Sequence, residues 1–458
     1  HSQVMLPEGA NEAWSDRERL WNDVEAFEKR KDAQLCREVE FAIPRELDQA
    51  EGIRLAQDFC EQEFVARGMV ADLNIHWDRG ADGEAKPHAH VMLTMREVKD
   101  EGFGAKVRDW NATSMVEHWR EAWAEHVNQR LAELDIHARI DHRSLEAQGI
   151  ELEPQHKIGS AAHRMEQKGE AADRAQEHRD IARENGEKII AHPEIALEAI
   201  TSHQATFTLR EITLFAHRHS DGEDQFNRVW RAIKDCPDLI VLGLDDRGNQ
   251  RATSRVMMEA EERLHRAVET MAEKRGHGVD DALRDAAFER ARKRGLSLKY
   301  EQSSAINHLT SASDLGCVVG YAGTGKSSIL SVAREAWEES GYQVRGLALS
   351  GIAAENLQTG SGIQSQTIAS LEHQWANNRG HLTQKDIIVI DEAGMVGTRQ
   401  MERVVAAAKS AGAKLVLVGD AEQLQAIDAG AAFRSITERT PHAVVTEIHR
   451  QKSDWQRE

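Results

Sequence analysis

The stretch Asn74–Met95, NIHWDRGADGEAKPHAHVMLTM, alternates apolar and polar residues on both sides of a polar loop over 78–87. This period of two predicts two β-strands, MVADLNIHWD and PHAHVMLTMREV, and the Asp82–Gly83 dipeptide is typical of a hairpin turn between them. Side chains two positions apart on a strand lie on the same face of a sheet. The hairpin therefore has one apolar face, which we expect to pack on a core, and one polar face.

Three histidines lie on the polar face of this hairpin. His88 and His90 share a face of the second strand, and folding of the hairpin brings His76 of the first strand opposite them. Three neutral imidazoles with open coordination positions suit a catalytic divalent metal, and Mg²⁺, Mn²⁺ and Zn²⁺ are the candidates. The alternative is a solvated polar face that binds no metal, and the residues alone leave it open.

The bulk composition excludes some classes of protein and names no function. A chain of 458 residues with 40% hydrophobic residues has room for roughly two to four domains with real cores. The net charge of -19 argues against a protein that coats nucleic acid by bulk attraction, although a local basic groove is compatible with it. The chain has no apolar run long enough for a membrane span, no visible signal peptide and four cysteines without a CxxC pair. We expect a cytoplasmic protein with reduced thiols and no membrane insertion.

The pattern around the hairpin predicts an α+β domain over 1–150. A charged amphipathic helix is predicted over 14–35, and the strand CREVEFAIP follows it. The segment DQAEGIRLAQDFCEQEFVARG has apolar residues at helical spacing and ends at Gly68, and a Trp-bearing helix is predicted around 114–135. Helices mixed with antiparallel strands are typical of this fold class.

Three further segments follow this domain. Residues 151–196 are polar and highly charged. This composition predicts a helical connector that has no apolar face to pack in a core. Residues 197–290 predict a small helical, winged-helix-like domain that contains one strand-turn-strand, LIVLGLDDRGNQRATS. Residues 291–458 alternate helices with short apolar runs, namely GCVVGYAG, YQVRGLALS, DIIVIDEAG, AKLVLVGDAEQ and AVVTEI. Such runs predict the buried parallel strands of an α/β domain.

A phosphate-binding loop, GYAGTGKSS, follows the first of these runs and fits the pattern G-x-x-x-x-G-K-S. Its glycines let backbone N–H groups surround phosphates, and the helix that begins there adds its positive N-terminus. Lys326 would contact the β- and γ-phosphate oxygens, and Ser327 would hold Mg²⁺. The candidate nucleotide-binding residues of this loop are Gly320, Gly323, Thr324, Gly325, Lys326, Ser327 and Ser328.

Polar residues also follow two other strands of the predicted α/β domain. IIVIDEAGM brings Asp391 to the metal and Glu392 to the attacking water, and LVLVGDAEQL brings Asp420 and Gln423 to another strand end. Open α/β sheets bind their ligands at such ends. The alternative is a glycine turn with acidic caps and no nucleotide, but three elements at three strand ends favour ATP with Mg²⁺.

These motifs, with LSLKYEQSSAI, LSGIAAENL, QTIASL and EIHRQ, resemble the successive motifs of superfamily 1, RecD-like DNA helicases. The resemblance implies that Gln302 holds the adenine, that Gln423 senses the γ-phosphate and that Arg450 acts as an arginine finger. It also implies that Ser350 and Thr367 contact single-stranded DNA. Since the sequence ends just after HRQ, the second RecA-like domain of that family is not in it. We therefore expect nucleotide binding without unwinding by this chain alone.

The hairpin IHWD…PHAHVMLTMR resembles the third motif of the MobA/MobL (Q-type) relaxases, HUH-fold enzymes that nick plasmid DNA at a transfer origin. REVEFAIPREL resembles the segment of that family with an acidic residue near the nucleophile. Glu40 is the first candidate for this residue and Glu38 the second, and salt-bridging glutamates without a catalytic role are the alternative. The chemistry of the family is a transesterification in which a metal polarises the phosphate and a tyrosine attacks it.

The two sets of motifs together resemble the TraA-type conjugal transfer relaxase-helicases over nearly the whole chain. All three tyrosines, Tyr300, Tyr321 and Tyr342, follow the metal motif, so we expect that an N-terminal segment with the nucleophilic tyrosine is missing. The implied function is nicking and translocation of DNA in plasmid transfer, with ATP and a divalent metal as cofactors. The implied partners are single-stranded and transfer-origin DNA and other relaxosome and coupling proteins. We expect this chain to bind metal, DNA and ATP without nicking. A repair-type helicase with a structural metal module and a nucleotide-switched DNA-binding protein are the alternatives.

Overall fold

The computed structural model describes the chain except residues 31, 80–84, 100–101, 135, 137, 155–172, 246–247, 322, 421–428 and 448–458. The described residues form two compact units. The first is built on His1–Ser144, and the second on Leu145–Glu153 with Ala182–Glu458. No helix in the described part of the chain is both long and apolar enough to cross a membrane.

The first unit contains a four-stranded antiparallel sheet. Its strands are β1 Ser2–Met5, β2 Cys36–Ala42, β3 Ala71–Arg79 and β4 Ala85–Thr94. They lie in the order β1-β3-β4-β2, so the predicted hairpin of β3 and β4 forms the centre of the sheet. A separate two-stranded sheet pairs β5 Arg96–Lys99 with β6 Gly102–Lys106.

Three helices accompany this sheet. They are α1 Arg17–Phe27, α2 Gln49–Glu63 and α3 Thr113–Glu133. The apolar face of the sheet packs with α2 and α3 in a core rich in aromatic residues, namely Phe41, Phe59, Phe64, Trp119 and Trp123. The helix predicted over 14–35 is too long, because α1 ends at Phe27 and the extended Glu28 pairs with Arg96 at 2.8 Å.

The hairpin is longer than the sequence predicts. We expect a polar loop over 78–87, but β3 continues to Arg79 and β4 begins at Ala85. Pro87 is accommodated inside β4, where its carbonyl accepts the N–H of Ile43, because proline lacks only the donor of a strand residue. The predicted turn at Asp82–Gly83 lies outside the described residues.

A small domain of helices and one antiparallel sheet opens the second unit. Its helices are α4 Asp173–Ala191, which begins in the first unit, α5 Glu194–Thr201, α6 Leu209–Arg218 and α7 Gly222–Lys234. Its strands are β7 Phe207–Thr208, β8 Leu239–Leu244 and β9 Gln250–Ser254, in the order β7-β9-β8. The prediction of a connector without a core face over 151–196 is wrong in part. Ile189 of α4 and Leu152 are buried with Phe207 in the core of this domain.

A six-stranded parallel sheet forms the centre of the second unit. Its strands are β10 Leu315–Gly320, β11 Gln343–Ala348, β12 Ser365–Thr367, β13 Asp386–Ile390, β14 Lys414–Gly419 and β15 Ala443–Val445. They lie in the order β12-β11-β13-β14-β10-β15. All five predicted strands are confirmed, and the short β12 has no apolar run that would predict it.

Helices cover both faces of the parallel sheet. They are α8 Arg255–Glu273, α9 Asp281–Lys293, α10 Tyr300–Leu309, α11 Lys326–Glu339, α12 Gly351–Ser361, α13 Ile368–Ala376, α14 Thr398–Ala411 and α15 Ala432–Arg439. We expect α8 and most of α9 in the small domain of 197–290, but both pack in the cores beside this sheet. Leu264 and Val268 of α8 lie with Ile388, and Ala287 of α9 lies with Val332. An amphipathic sequence predicts a buried stripe without saying which surface buries it.

Candidate metal centre and nucleotide site

The three histidines of the hairpin come together as the alternation of the strands predicts. His76 and His88 are directly paired across β3 and β4, and His90 is the next residue but one on the same face. The ring centroids lie 5.1–5.2 Å apart. One nitrogen from each ring can be chosen so that all three lie within 4.8 Å of one another, which is compatible with one shared ion.

Two of these rings have a hydrogen-bond partner at Nδ1. His88 Nδ1 lies 3.0 Å from the carbonyl oxygen of Lys86, and His90 Nδ1 lies 2.8 Å from Oε1 of Glu38. Both partners accept, so each Nδ1 carries the proton and each Nε2 keeps its lone pair for a metal. Metal-bound histidines in proteins commonly have such partners.

The hydrogen-bond partner of His90 is Glu38, the second of the two acidic candidates, and the choice of the acidic residue near the nucleophile stays a prediction. Glu40 is the residue directly opposite His90 in the strand register, but no side-chain hydrogen bond of Glu40 is found among the described residues. Both glutamates are exposed on the same face of β2. The sequence could not separate them because they share the parity of the strand.

A buried carboxylate with an exposed arginine partner lies on the strand that carries His76. The Asp72 carboxylate is fully buried on the same face of β3, where the Arg17 guanidinium donates to both of its oxygens. The indole of Trp21 also donates to Asp72, at 2.9 Å. Sequence reasoning missed this network, because Arg17 and Asp72 are far apart in the chain and neither belongs to a motif.

The phosphate loop has the geometry that its sequence predicts. It begins at Gly320, the last residue of β10, and ends at the first turn of α11. Gly323 and Gly325 both have φ of 83°, a left-handed conformation that favours glycine. The Lys326 ammonium donates to the carbonyl of Gly320 at 3.1 Å, and Ser327 is exposed at the start of the helix. The loop can therefore bind an anion with its lysine and its helix N-terminus.

Two carboxylates lie beside this loop after β13. Burial, together with the charge of Glu392, raises the pKa of Asp391 to about 6. Glu392 has φ of 50°, which is strained for a residue other than glycine and is typical of functional sites. Its Oε1 lies 3.6 Å from Lys326 Nζ, and its Oε2 is buried with no hydrogen-bond partner among the described residues. A cation or a water molecule at this carboxylate would satisfy that oxygen, so the residues present fit Mg²⁺ and the attacking water of an ATPase.

Gln302 contacts the phosphate loop itself. Its side chain is buried, its amide nitrogen donates to the carbonyl of Thr324 at 2.9 Å, and its amide oxygen accepts the N–H of Lys299 at 3.0 Å. The amide nitrogen thus holds the loop against α10, while the amide oxygen caps the N-terminus of α10 itself. Contact with an adenine, as the helicase resemblance implies, would require the amide to change partners.

The remaining candidates divide into described and undescribed residues. Ser350 and Thr367 lie at the N-termini of α12 and α13, where each hydroxyl accepts a backbone N–H as a helix cap. Asp420 directly follows β14 and is buried. Gln423 and Arg450 lie outside the described residues.

Comparison with known families agrees with the two sites. Residues 1–168 match the MobA/MobL family, and residues 297–458 match the AAA domain. The chain thus joins a MobA/MobL domain with the hairpin of histidines to a P-loop ATPase domain. The conjugal transfer protein TraA of Rhizobium radiobacter is 38% identical over 96% of this chain. The chain is similar to the TraA conjugal transfer proteins over nearly its whole length.

The relatives are longer than this chain or share only one half of it. The chain spans 42% of the length of the Rhizobium radiobacter protein. Mobilization protein A of Escherichia coli is 34% identical over 34% of this chain and 24% of that protein. The ATP-dependent RecD2 DNA helicase of Deinococcus radiodurans is 32% identical over 38% of this chain and 24% of that protein.

Proposed function

We propose that this chain processes DNA in plasmid conjugation. Its first unit would bind a divalent metal and transfer-origin DNA and polarise the phosphodiester that is nicked in plasmid transfer, although residues 1–144 contain no tyrosine to attack it. Its second unit would bind ATP and single-stranded DNA. The proposal rests on the cluster of three imidazoles on the central hairpin of the segment that matches MobA/MobL. One nitrogen of each ring lies within 4.8 Å of the other two. The P-loop in the same chain supports the coupling of this site to a motor.

The residues of the first unit would act by binding and orienting. His76, His88 and His90 would hold the metal through their free ring nitrogens, and Mg²⁺ or Mn²⁺ is proposed as the ion. A bound divalent cation would supply Lewis-acid polarisation of a phosphodiester. Glu38 would keep His90 in the tautomer that leaves Nε2 unprotonated, and Lys86 would do the same for His88 through its carbonyl.

The residues of the second unit would act on the phosphates of ATP. Lys326 would neutralise the β- and γ-phosphate oxygens, while Ser327 and Asp391 would hold Mg²⁺. Glu392 would orient the attacking water, since its Oε1 lies 3.6 Å from Lys326 of the loop and its Oε2 has no hydrogen-bond partner among the described residues. Gln423, Asp420 and Arg450 are proposed to respond to the γ-phosphate by their place in the helicase motifs.

The partners follow from this chemistry. Single-stranded DNA and transfer-origin DNA are the proposed substrates, and other relaxosome and coupling proteins are the proposed protein partners. A cytoplasmic location is proposed, because plasmid DNA and ATP are both available there. These assignments rest on the likeness to conjugation proteins.

Binding of single-stranded DNA in the presence and absence of Mn²⁺ tests the proposal. We expect fluorescence anisotropy with a labelled oligonucleotide to show tighter binding with Mn²⁺, and this gain to vanish in His88→Ala with His90→Ala. His142→Ala is the matched control, since His142 is an exposed histidine of the same unit outside the cluster. DNA affinity that does not depend on Mn²⁺ in the unaltered chain would contradict the proposed role of the metal.

A further inference from the structure

Two adjacent residues at the end of α5 contact both segments that follow the acidic ATPase motifs. The guanidinium of Arg399, the second residue of α14, donates to Thr201 Oγ1 at 2.8 Å. The N–H of Ala429, the first described residue after Asp420, donates to the carbonyl of Ser202 at 2.9 Å. The end of α5 in the small helical domain is thus hydrogen-bonded to the segment after Asp391 and Glu392 and to the segment after Asp420.

The hydroxyl that receives Arg399 has a fixed orientation. Thr201 Oγ1 donates to the carbonyl of Leu197 at 2.7 Å, so it can only accept from its other neighbour, the Ser254 hydroxyl at 3.1 Å. Ser254 in turn accepts the N–H of Met257 and caps α8. Thr201 and Ser254 are both buried. The buried Thr201 hydroxyl therefore donates to Leu197 and accepts from Ser254 and from Arg399.

The two ATPase segments are also bound to each other at this place. The N–H of Thr398 donates to the carbonyl of Ala429 at 2.8 Å. Gly430 has φ of 102°, and a Cβ added there would lie 2.0 Å from Thr398 Oγ1. No other residue fits at this close approach. We call the set of Thr201, Ser202, Ser254, Thr398, Arg399, Ala429 and Gly430 the Thr201 junction.

We infer that Thr201 and Arg399 are positioning residues of the ATPase, through which the small helical domain responds to bound nucleotide. The inference rests on the proposed binding of ATP at the phosphate loop. Arg399 lies seven residues after Glu392, beyond the 3₁₀ helix Ala393–Met395 and at the start of α14. A movement of these carboxylates toward Mg²⁺ is carried into the junction, and the hydroxyl of Thr201 transmits it to α5.

Hydrogen exchange with and without the nucleotide analogue ATPγS and Mg²⁺ tests this coupling in the full chain. We expect nucleotide to slow exchange at the end of α5 in the unaltered protein. In Thr201→Val and Arg399→Ala we expect this slowing of exchange by nucleotide to be roughly tenfold smaller. A tenfold change is the size expected when a hydrogen bond to a charged group is lost. ATP turnover, expressed per nucleotide site titrated with ATPγS so that unfolded protein is not counted, falls by a similar factor in kcat while KM stays within about twofold.

Arg263→Ala is the matched control. Arg263 on α8 pairs with Glu402 on α14 at 3.0 Å, so this variant breaks an exposed ion pair between an arginine and the same helix α14. We expect it to keep the full nucleotide effect. If Thr201→Val does not fold, Arg399→Lys replaces it, because lysine keeps the charge and loses the planar geometry of the guanidinium.

Two results separate failure of the inference from failure of the proposed function. A nucleotide effect on α5 that is equal in the folded variants and in the unaltered protein overturns the inference alone. Absence of ATPγS binding by the unaltered chain, measured in the same samples against Lys326→Ala, overturns both.

Discussion

Replacement of Glu38 by alanine should weaken the metal centre without removing any ligand. The change deletes the carboxylate that accepts the Nδ1 proton of His90 at 2.8 Å, while His76, His88 and His90 all remain. Nε2 of His90 then loses its fixed orientation and part of its basicity, because the other ring nitrogen has no acceptor. The expected result is a higher Kd for Mn²⁺.

The magnitude follows from the exposure of Glu38. Loss of an outer partner of a metal-bound histidine typically costs ~10- to 100-fold in metal affinity. The Glu38 side chain is 60% exposed, so water screens its charge and the effect belongs at the lower end. We expect a loss of about tenfold, which corresponds to ~1.4 kcal/mol.

Isothermal titration of Mn²⁺ in the absence of nucleotide measures this effect. Glu40→Ala is the matched control, because Glu40 lies on the same face of the same strand, opposite His90, but is not its hydrogen-bond partner. We expect Glu40→Ala to change the Kd by less than about twofold. An unchanged Kd in Glu38→Ala, or an equal loss in Glu40→Ala, would refute the assignment of Glu38.

Three further predictions concern the second unit. Gln302→Ala should raise the Kd of a fluorescent ADP by roughly two- to tenfold, since its one hydrogen bond to the loop, donated to the carbonyl of Thr324, is worth ~0.5–1.5 kcal/mol. An unchanged Kd would show that Gln302 does not hold the loop. His277→Ala should lower the free energy of unfolding by ~2–4 kcal/mol, because the buried Asp314 carboxylate loses the His277 ring at 2.7 Å and keeps a backbone N–H at 3.0 Å. Thermal unfolding beside Tyr342→Phe checks this, and equal melting temperatures would contradict it. Burial lowers the pKa of Lys414 to about 7. Between pH ~7 and ~10 the unfolded chain therefore binds one more proton at Lys414 than the folded chain does, and the free energy of unfolding rises with pH. Lys414→Met should remove this rise in urea titrations at several pH values, and a rise of the same size in the variant would exclude Lys414 as its cause.

The clustering of the three histidines could be predicted from sequence because its geometry is local. The three histidines lie on one hairpin, and the period of two in a strand fixes their common face once the strands pair. The choice between Glu38 and Glu40 could not be predicted, because both have the same parity and only side-chain conformations separate them. The same holds for Gln302, whose partner Thr324 is known only when α10 is placed against the loop.

The packing of the helices that lie between the two sites in the sequence was less predictable. The apolar stripe of α8 indicates burial, but it does not distinguish the small domain from the parallel sheet that buries it. The contact of Arg399 with Thr201 joins residues far apart in the chain, and neither residue belongs to a motif. Such contacts arise from the folded arrangement and have no local pattern.

Electron paramagnetic resonance of Mn²⁺ bound to the nucleotide-free chain tests the metal centre most directly. The three-histidine cluster predicts one tightly bound ion with couplings to three imidazole nitrogens, and to two in His88→Ala. An ion with only oxygen ligands, or no bound Mn²⁺ at all, would contradict the assignment of His76, His88 and His90 as a metal centre.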